Sequence, residues 1–568
     1  MVKLKNLPMK DRKIIRAWCM YDWANSGFAT SGIAAIFPVY FVFLFKDAIG
    51  EEAVFWGVTF TGSSMWSFAI ASSTAIVALS SPILGIIADR VAIKKTLLWV
   101  YTIAGSAFTG LAFFSAYTSH PWAWLLGAFI LGNIGFAGSL VFYNSFLPHI
   151  APRDLLDDVS SRGFAYGYVG GGLLLLLHLA LNLITEDTNI SDLVTRGSIA
   201  SIGLWWFAWA LWTFKVLPEP PLHNAIEGLG PAKAGSLAIK ELGRTFREIT
   251  KFKVILIYLG AYLLFNDGIQ TVLGIAGAFA ADTIGIPLAF NMGTILIIQF
   301  VAAPGSMMFS RIAGRISTKE ALRVSLVGWS LIVLLGVAIV PLIPTGHSEF
   351  DYQLSYRIDA GKYVVDGAPE LGNSSVDVLW GQEAGLVKTE QTLTSSDAKK
   401  LIESVGLSEN SRYSISIEGG PLSGNNAVGP LHNSTLGSGP IDWWPAAIRE
   451  WLWRPLGIAA GYQWLILGVC VGLVMGGSQA LSRSLFAQIT PETRSGEFFS
   501  FFGFMSKASS VFGPMIYVFV TGMFDTRMAV TSILIIIVAG TVVLRWVNVS
   551  DGSHVAAVED NRQRKMFA

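Results

Sequence analysis

Tyr21-Asp22-Trp23-Ala24-Asn25-Ser26 stands near the head of an apolar run that reaches Phe45, and nothing from Gly32 to Phe45 is charged. Asp22, Asn25 and Ser26 are spaced i, i+3, i+4, so on a helix they share one face. A carboxylate at the head of such a helix is costly unless something uses it. The pattern returns at Phe265-Asn266-Asp267-Gly268-Ile269-Gln270-Thr271, where an Asp, an amide and a hydroxyl again occupy i, i+3, i+4, offset by 245 residues. The doubling predicts a duplicated architecture.

Composition gives the solvent in which that architecture folds. Of 568 residues, 52% are apolar and only 14% charged, against about 25% charged in soluble domains, so the chain is expected in a membrane. A net charge of +1 gives no case for a nucleic-acid partner. Cys19 and Cys470 lie in apolar runs far apart, which excludes a disulfide framework and argues against a metal site. Met1 to Arg16 is basic, and the apolar run behind it is too long for a secretory signal, so it reads as a retained first span.

A hydrocarbon core of roughly 30 Å takes about 20 apolar residues per helix. Twelve runs meet or approach this, at about 17–45, 65–88, 96–117, 122–146, 162–183, 199–217, 254–280, 287–309, 321–343, 461–482, 499–521 and 528–547. Lys and Arg collect on one side: Lys3 to Arg16, Arg90, Lys94 and Lys95, Lys233 to Lys251, Arg311, Arg315 and Lys319, then Arg562 to Lys565. The other side offers little beyond Lys46, Arg196 and Arg527, so both termini are expected in the cytoplasm.

The spans group into an N-terminal half (1–217) and a C-terminal half (254–343 and 461–548), with a cytoplasmic linker at 218–253 and a cytoplasmic tail at 549–568. Residues 344–460 form a polar interruption with β-like alternation at Tyr352–Val365 and Tyr413–Glu418, and a capped helix starting at Ser395 or Ser396. We read a small α+β extracytoplasmic domain. Gly419–Gly439 has the composition of a flexible loop, and Trp443, Trp444, Trp451 and Trp453 suit a helix lying at the outer membrane interface.

Two more alignments support the duplication. Ala88-Asp89-Arg90 with Lys94 has a degraded partner in Ala313-Gly314-Arg315 with Lys319, and Ser145–Pro152 resembles Ser484–Pro491 at an offset of 339. The first of these has an offset of 225, and the drop from 245 matches an extra stretch between spans one and two, around Lys46–Ser64; the rise from 225 to 339 approximates the length of the polar interruption, which is therefore an insertion into a symmetric plan. Two six-span repeats around a central site are the plan of alternating-access carriers.

Asp22, Asn25 and Ser26 on span one, with Asn266, Asp267, Gln270 and Thr271 on span seven, are expected to line a central cavity. A desolvated carboxylate there is suited to carry a coupling proton. The plainer reading is a polar helix-packing pair or, for Asp22, placement near the cytoplasmic surface. Lys507, inside span eleven, could pair with Asp267 or Asp22, or receive a substrate carboxylate; a structural ion pair is the alternative. His178 reads as a hydrogen-bonded residue of span five. Gln479, Arg483 and Glu497 read as a cytoplasmic gate. No nucleotide-binding pattern occurs, so ATP-driven transport is not expected, and no cofactor is expected either.

Gly85-Ile86-Ile87-Ala88-Asp89-Arg90, followed by Lys94 and Lys95, resembles the loop signature of the major facilitator superfamily. Its Gly permits close helix approach, and Asp89 can cap a neighbouring helix N-terminus. Tyr21–Ser26, Tyr143–Pro148, Asn266-Asp267-Gly268, Gly476–Phe486 and Glu497–Ser510 together resemble the vacuole-effluxer branch of that superfamily, named after an autophagy-related amino-acid exporter, with many bacterial members. The short termini suit a bacterial one. The resemblance implies an all-α membrane protein of major facilitator fold, with two pseudo-symmetric six-helix halves, in the bacterial inner membrane. It implies a secondary-active or facilitative carrier, not an enzyme, whose partners are a small-molecule substrate and the bilayer. Neutral amino acids are the expected substrates. A permease for peptides, sugars or cell-wall fragments is the alternative, or a non-transporting receptor that uses the inserted domain to hold an extracytoplasmic partner.

Overall fold

The computed structural model describes residues 7–49, 52–55, 58–185, 188–221, 252–280, 288–339, 346–369, 375–409, 411–430, 443–509, 512–523 and 526–566, with Leu4, Ile284, Pro344, Leu371 and His432. The linker expected at 218–253 falls almost wholly outside the described residues.

Eleven helices among the described residues are long and apolar enough to cross a bilayer: Met9–Ile49, Phe68–Arg90, Lys94–Tyr117, Pro121–Ile150, Arg153–Thr185, Ser191–Val216, Lys253–Ala276, Gly293–Ala313, Thr318–Val337, Ala460–Ile489 and Met528–Trp546. These are spans one to ten and span twelve. The expected eleventh run, 499–521, is not one continuous helix: it forms Ser495–Ala508 and then Phe512–Met523. Span one is also irregular, with a π-helical stretch at Phe28–Ile36 before Pro38. Proline cannot donate to the helical ladder, and the widened turns absorb that loss. Leu79, Ile184, Leu204 and Phe519 stand exposed on the outer faces, as lipid-facing residues must.

The packing repeats between halves. Span one packs on five and six as seven packs on eleven and twelve; two packs on four as eight packs on ten; three packs on four and six as nine packs on ten and twelve. The halves meet where two crosses eleven and where five crosses eight and ten. Both chain ends lie at one end of this bundle, which we term the base. Spans eight and ten approach backbone to backbone. A Cβ on Gly305 would sit 2.6 Å from the Leu473 carbonyl oxygen, and one on Gly472 2.9 Å from that of Ile298. Glycine is what allows this seam.

A hairpin of β1 (Glu52–Phe55) and β2 (Val58–Thr61) fills the extra length between spans one and two. The insertion holds a sheet of β3 (Tyr352–Arg357), β4 (Lys362–Gly367), β5 (Thr392–Leu393), β6 (Ser414–Glu418) and β7 (Ala427–Val428), in the order β5-β4-β3-β6-β7. The alternation at Tyr352–Val365 is thus two strands rather than one. β3 and β6 run parallel, and helices Ser375–Ala384 and Ser395–Leu407 accompany the sheet. Tyr352, Leu354, Trp380, Leu401 and Ile415 form a core separate from that of the bundle. The helix cap is Thr394, one residue earlier than expected; its hydroxyl accepts from Asp397 N at 3.2 Å. Gly419, Gly420 and Gly424 take positive φ in the loop after β6. The Trp443–Leu456 stretch is helical throughout, and the C-terminal tail is a helix, Val549–Met566.

Candidate functional site

A cavity of about 880 Å³ lies between the halves, bounded by residues of spans one, two, four, five, seven to ten and twelve. It extends from Asp22 and Gln479 at the base side to Ala34 and Trp464 far from the base. Its polar positions are few: Asp22, Asn25, Ser26, Thr30, Gln270 and Gln299 among them, with Tyr168 donating to Gln479. Most of the wall is Ile, Leu, Val and Phe. Asn25 and Gln270 are repeat-related, and each faces the cavity from its own half.

At the cavity floor Asp22, only 6% exposed, meets Arg483 of span ten. Arg483 donates from both terminal nitrogens to Asp22 Oδ2, at 3.3 and 3.4 Å, and Tyr143 Oη donates to the same oxygen at 2.7 Å. The guanidinium also donates to Asn144 Oδ1 (3.2 Å), Ser160 Oγ (2.9 Å) and the Ser160 carbonyl (2.7 Å). Its face lies 4.1 Å from the ring centre of Phe164 and 4.8 Å from that of Trp18. Every feature an isolated arginine would lack in apolar surroundings is supplied. The site therefore ties the C-terminal half, through one side chain, to spans one, four and five. A Cβ on Gly163 would fall 2.5 Å from Asp22 Oδ2, so glycine leaves room for the pair. Asp22 is 13 residues into its helix, about 20 Å from its start, well inside the bundle rather than at its surface.

Below this floor the base is closed. Asp89, at the end of span two, accepts from Gly496 N at 3.0 Å and Glu497 N at 2.8 Å, capping the first helix of span eleven. Lys94 Nζ lies 2.7 Å from Asp89 Oδ1 and donates to Ser495 Oγ at 2.8 Å. Gly85 stands at the crossing, where a Cβ would meet the Gly496 carbonyl oxygen at 2.5 Å. The Glu497 side chain takes Arg494 at 2.8 and 2.9 Å. On the opposite flank Asp157 accepts from Ser484, from Thr318 (2.7 Å) and from Gln488 (3.3 Å). Lys319, the repeat partner of Lys94, instead donates to the carbonyls of Arg545 and Val547 at 2.8 and 2.9 Å. Gly314 stands where an aspartate would be needed for a second lock.

The structure separates the other expected residues. Asn266, Asp267 and Thr271 are buried outside the cavity lining. Asp267, 2% exposed, accepts from the backbone N–H groups of Phe512 and Gly513 at the head of the second helix of span eleven. Its Oδ1 has no hydrogen-bond partner among the described residues. Asn266 Nδ2 donates to Ser509 Oγ, and Thr271 Oγ1 to the Asp267 carbonyl at 2.7 Å. So the two repeat-related aspartates differ: Asp22 holds an arginine, Asp267 a helix terminus. The side chain of Lys507 lies outside the described residues. His178 pairs with Ser201 Oγ at 2.7 Å. Gln479 faces the cavity rather than the base contacts. Tyr143, Asn144 and Ser160, unassigned from sequence, are the polar shell of the ion pair. Tyr143 and Asn144 interrupt an apolar run, and that was the available signal.

The sequence profile described as "Vacuole effluxer Atg22 like" matches residues 10–350 and 443–557, leaving out most of the insertion. An "Uncharacterized MFS-type transporter YxiO" of Bacillus subtilis (strain 168) is 25% identical over 535 residues, covering 94% of each chain. "Autophagy-related protein 22-1" of Aspergillus niger is 34% identical over 152 residues, 26% of this chain and 24% of the fungal one. Among solved structures, the human organic anion transporter MFSD10 matches with a TM-score of 0.54 at 12% identity, covering 95% of this chain and 100% of that one. The proton:xylose symporter XylE matches with a TM-score of 0.54 at 10% identity, covering 95% of each. Architecture, profile and relatives agree: this is a multi-pass membrane transporter of the major facilitator superfamily, and the chain belongs to its Atg22-like vacuole-effluxer family.

Proposed function

We propose that the chain carries small organic solutes, most suitably neutral amino acids, by alternating access, with both termini in the cytoplasm of a bacterium and the inserted domain, within 344–460, outside. The observation that carries this reading is the Asp22–Arg483 pair. It joins the two halves at the floor of a cavity whose base is sealed. With the termini inside, that seal lies on the cytoplasmic side. The opposite state requires that pair and the Asp89 contacts to separate as the halves rock.

The chemistry of the cavity supports the substrate class. A zwitterion with an apolar side chain needs a charged anchor, a few amides and hydroxyls, and a large apolar wall. Asp22 offers the anchor for an ammonium group, while Asn25, Ser26 and Gln270 offer hydrogen bonds. Asp267, Asn266, Thr271 and Lys507 are assigned to the coupling step at the break in span eleven, where Asp267 could exchange its helix-terminus bonds for a proton. Gly85, Asp89, Arg90, Lys94, Arg483 and Glu497 form the gate.

Amino-acid flux into proteoliposomes tests this, with Asp22→Asn, Asp267→Asn and Lys507→Ala beside the parent, with and without a pH gradient. Neutral amino-acid flux in the parent and its loss in the variants is expected; undiminished flux in all three variants would sink the assignment. The cavity volume supports a second reading, since about 880 Å³ exceeds what one amino acid fills. Dipeptides that outcompete amino acids in the same assay would favour it.

A further inference from the structure

A second cavity, of about 750 Å³, opens at the base on the flank away from Asp89. Its walls come from both halves: Arg153 and Asp154 before span five, the turn between spans eight and nine with Lys319, Gln488 at the end of span ten, and 545–553 where span twelve passes into the C-terminal helix. The transport reading makes no use of it.

Three cations line this cavity, Arg153, Lys319 and Arg545, against two carboxylates, Asp154 and Asp157. Asp157 is already committed to Ser484, Thr318 and Gln488. Arg153 uses one terminal nitrogen on the Ser553 carbonyl at 3.1 Å, and Lys319 uses two donors on the carbonyls of Arg545 and Val547. Both keep further donors, since a guanidinium has five N–H groups and an ammonium three. The C-terminal helix begins at Val549, and Val549 and Ser550 line the cavity, so the positive end of an 18-residue helix also faces it. The chemistry that fits is a phosphate ester.

Placement says where that ester comes from. The lining includes the ends of spans that face lipid, and Trp546 in it is 67% exposed, while Ile316, the chain neighbour of the lining Ser317, is 53% exposed. Exposed Trp at the end of an apolar span marks the level of lipid headgroups. We propose that this cavity binds the phosphate of an anionic phospholipid headgroup. Held by Arg153 on one side and Lys319 and Arg545 on the other, that phosphate cross-links the two halves at the base and stabilises the closed arrangement.

The purified full chain in phosphatidylcholine nanodiscs, with and without phosphatidylglycerol, tests this by thermal unfolding, a readout independent of any transport substrate. Phosphatidylglycerol is expected to raise the Tm of the parent. Replacing Arg153→Gln and Arg545→Gln together is expected to weaken the lipid's apparent affinity about thirtyfold. Lys10→Gln with Lys13→Gln, an equal loss of charge at the same end, should leave the response intact. The proposal is overturned if both double variants respond like the parent, or if both lose the response. It is also overturned if free glycerol phosphate in phosphatidylcholine discs stabilises as well as the lipid does, which would make the ligand a soluble ester.

Discussion

Arg483 and Asn144 stand 339 residues apart and donate and accept one hydrogen bond, NH1 to Oδ1 at 3.2 Å. That separation is the offset that aligns Ser145–Pro152 with Ser484–Pro491, so the two residues are repeat equivalents that touch across the pseudo-two-fold axis. Equivalent positions on an axis cannot both carry an arginine without facing like charge at contact distance. An arginine at one position therefore requires a different residue at the other, and the one cation, with Asp22 as its counter-ion, stands at the cavity floor where the halves meet.

Removing one member of that pair strands the other in apolar surroundings. Asp22→Asn and Arg483→Gln are each expected to cost about 3–5 kcal/mol of stability. The double variant should cost less than the sum of the two, as a coupled pair requires. Thermal unfolding of all four proteins in one detergent checks this; additive losses would mean that the pair does not interact.

Gly163→Ala is expected to push Asp22 and Arg483 apart without removing either, because its Cβ would lie 2.5 Å from the carboxylate oxygen and 2.9 Å from a guanidinium nitrogen. Transport should fall at least as far as in Asp22→Asn, while a Gly127→Ala control, with open space around its Cβ, stays near the parent. Solute flux in proteoliposomes gives the comparison.

At the base, Asp89→Asn keeps the shape but loses the charge that faces a helix N-terminus and Lys94. The closed base is expected to loosen by about 1–2 kcal/mol. Ser500→Cys, buried next to Gly85 and introduced with Cys19 and Cys470 replaced, reports it. Its labelling by a membrane-impermeant thiol reagent added to the base side should quicken roughly five- to thirtyfold in the Asp89→Asn background.

The inserted domain should weaken in acid. Burial works against the charge of Asp351, but hydrogen bonds from His432 and Ser414 outweigh it and hold its carboxyl below the ordinary range. A carboxylate lowered in the folded state stabilises above its unfolded pKa, and that contribution is lost as pH falls through the folded value. Hydrogen exchange of the β3–β6 amides in the full chain, corrected for intrinsic rate, should accelerate below about pH 4. Asp351→Asn should remove most of that dependence.

Much of this architecture was legible in the sequence because a membrane permits so few solutions. Long uncharged runs must be helices, and the recurrence of Asp22-x-x-Asn25-Ser26 at Asp267-x-x-Gln270-Thr271 exposed the duplication. The capping contact of Asp89 was readable for the same reason, since a carboxylate after a span has few uses besides a nearby helix terminus. What could not be read was pairing across the interface. Arg483 lay 461 residues from Asp22, and nothing in either segment names the other. The break in span eleven was hidden too, because Ser506–Ser510 is polar yet short enough to pass inside an apolar run. Asp267 therefore looked like a second copy of Asp22 when its partner is the end of a helix. The insertion showed its strands by alternation, but its cap was displaced one residue, because Thr394, Ser395 and Ser396 can all cap and only the fold chooses.

The glycine seam between spans eight and ten has a mechanical consequence. With a backbone oxygen within 3 Å of where a Cβ would be, at Gly305 and Gly472, these helices have little room to slide or roll against each other and move together as a stiff pair. Arg483 sits on that pair 11 residues beyond Gly472, about 16 Å along the axis. A lever of that length converts a tilt of a few degrees near the cavity into a displacement of about an ångström at the guanidinium. That is enough to spoil hydrogen bonds whose useful range is a few tenths of an ångström. The stiffness of this seam, set by two glycines, would thus decide how sharply the carrier commits to one side of the membrane.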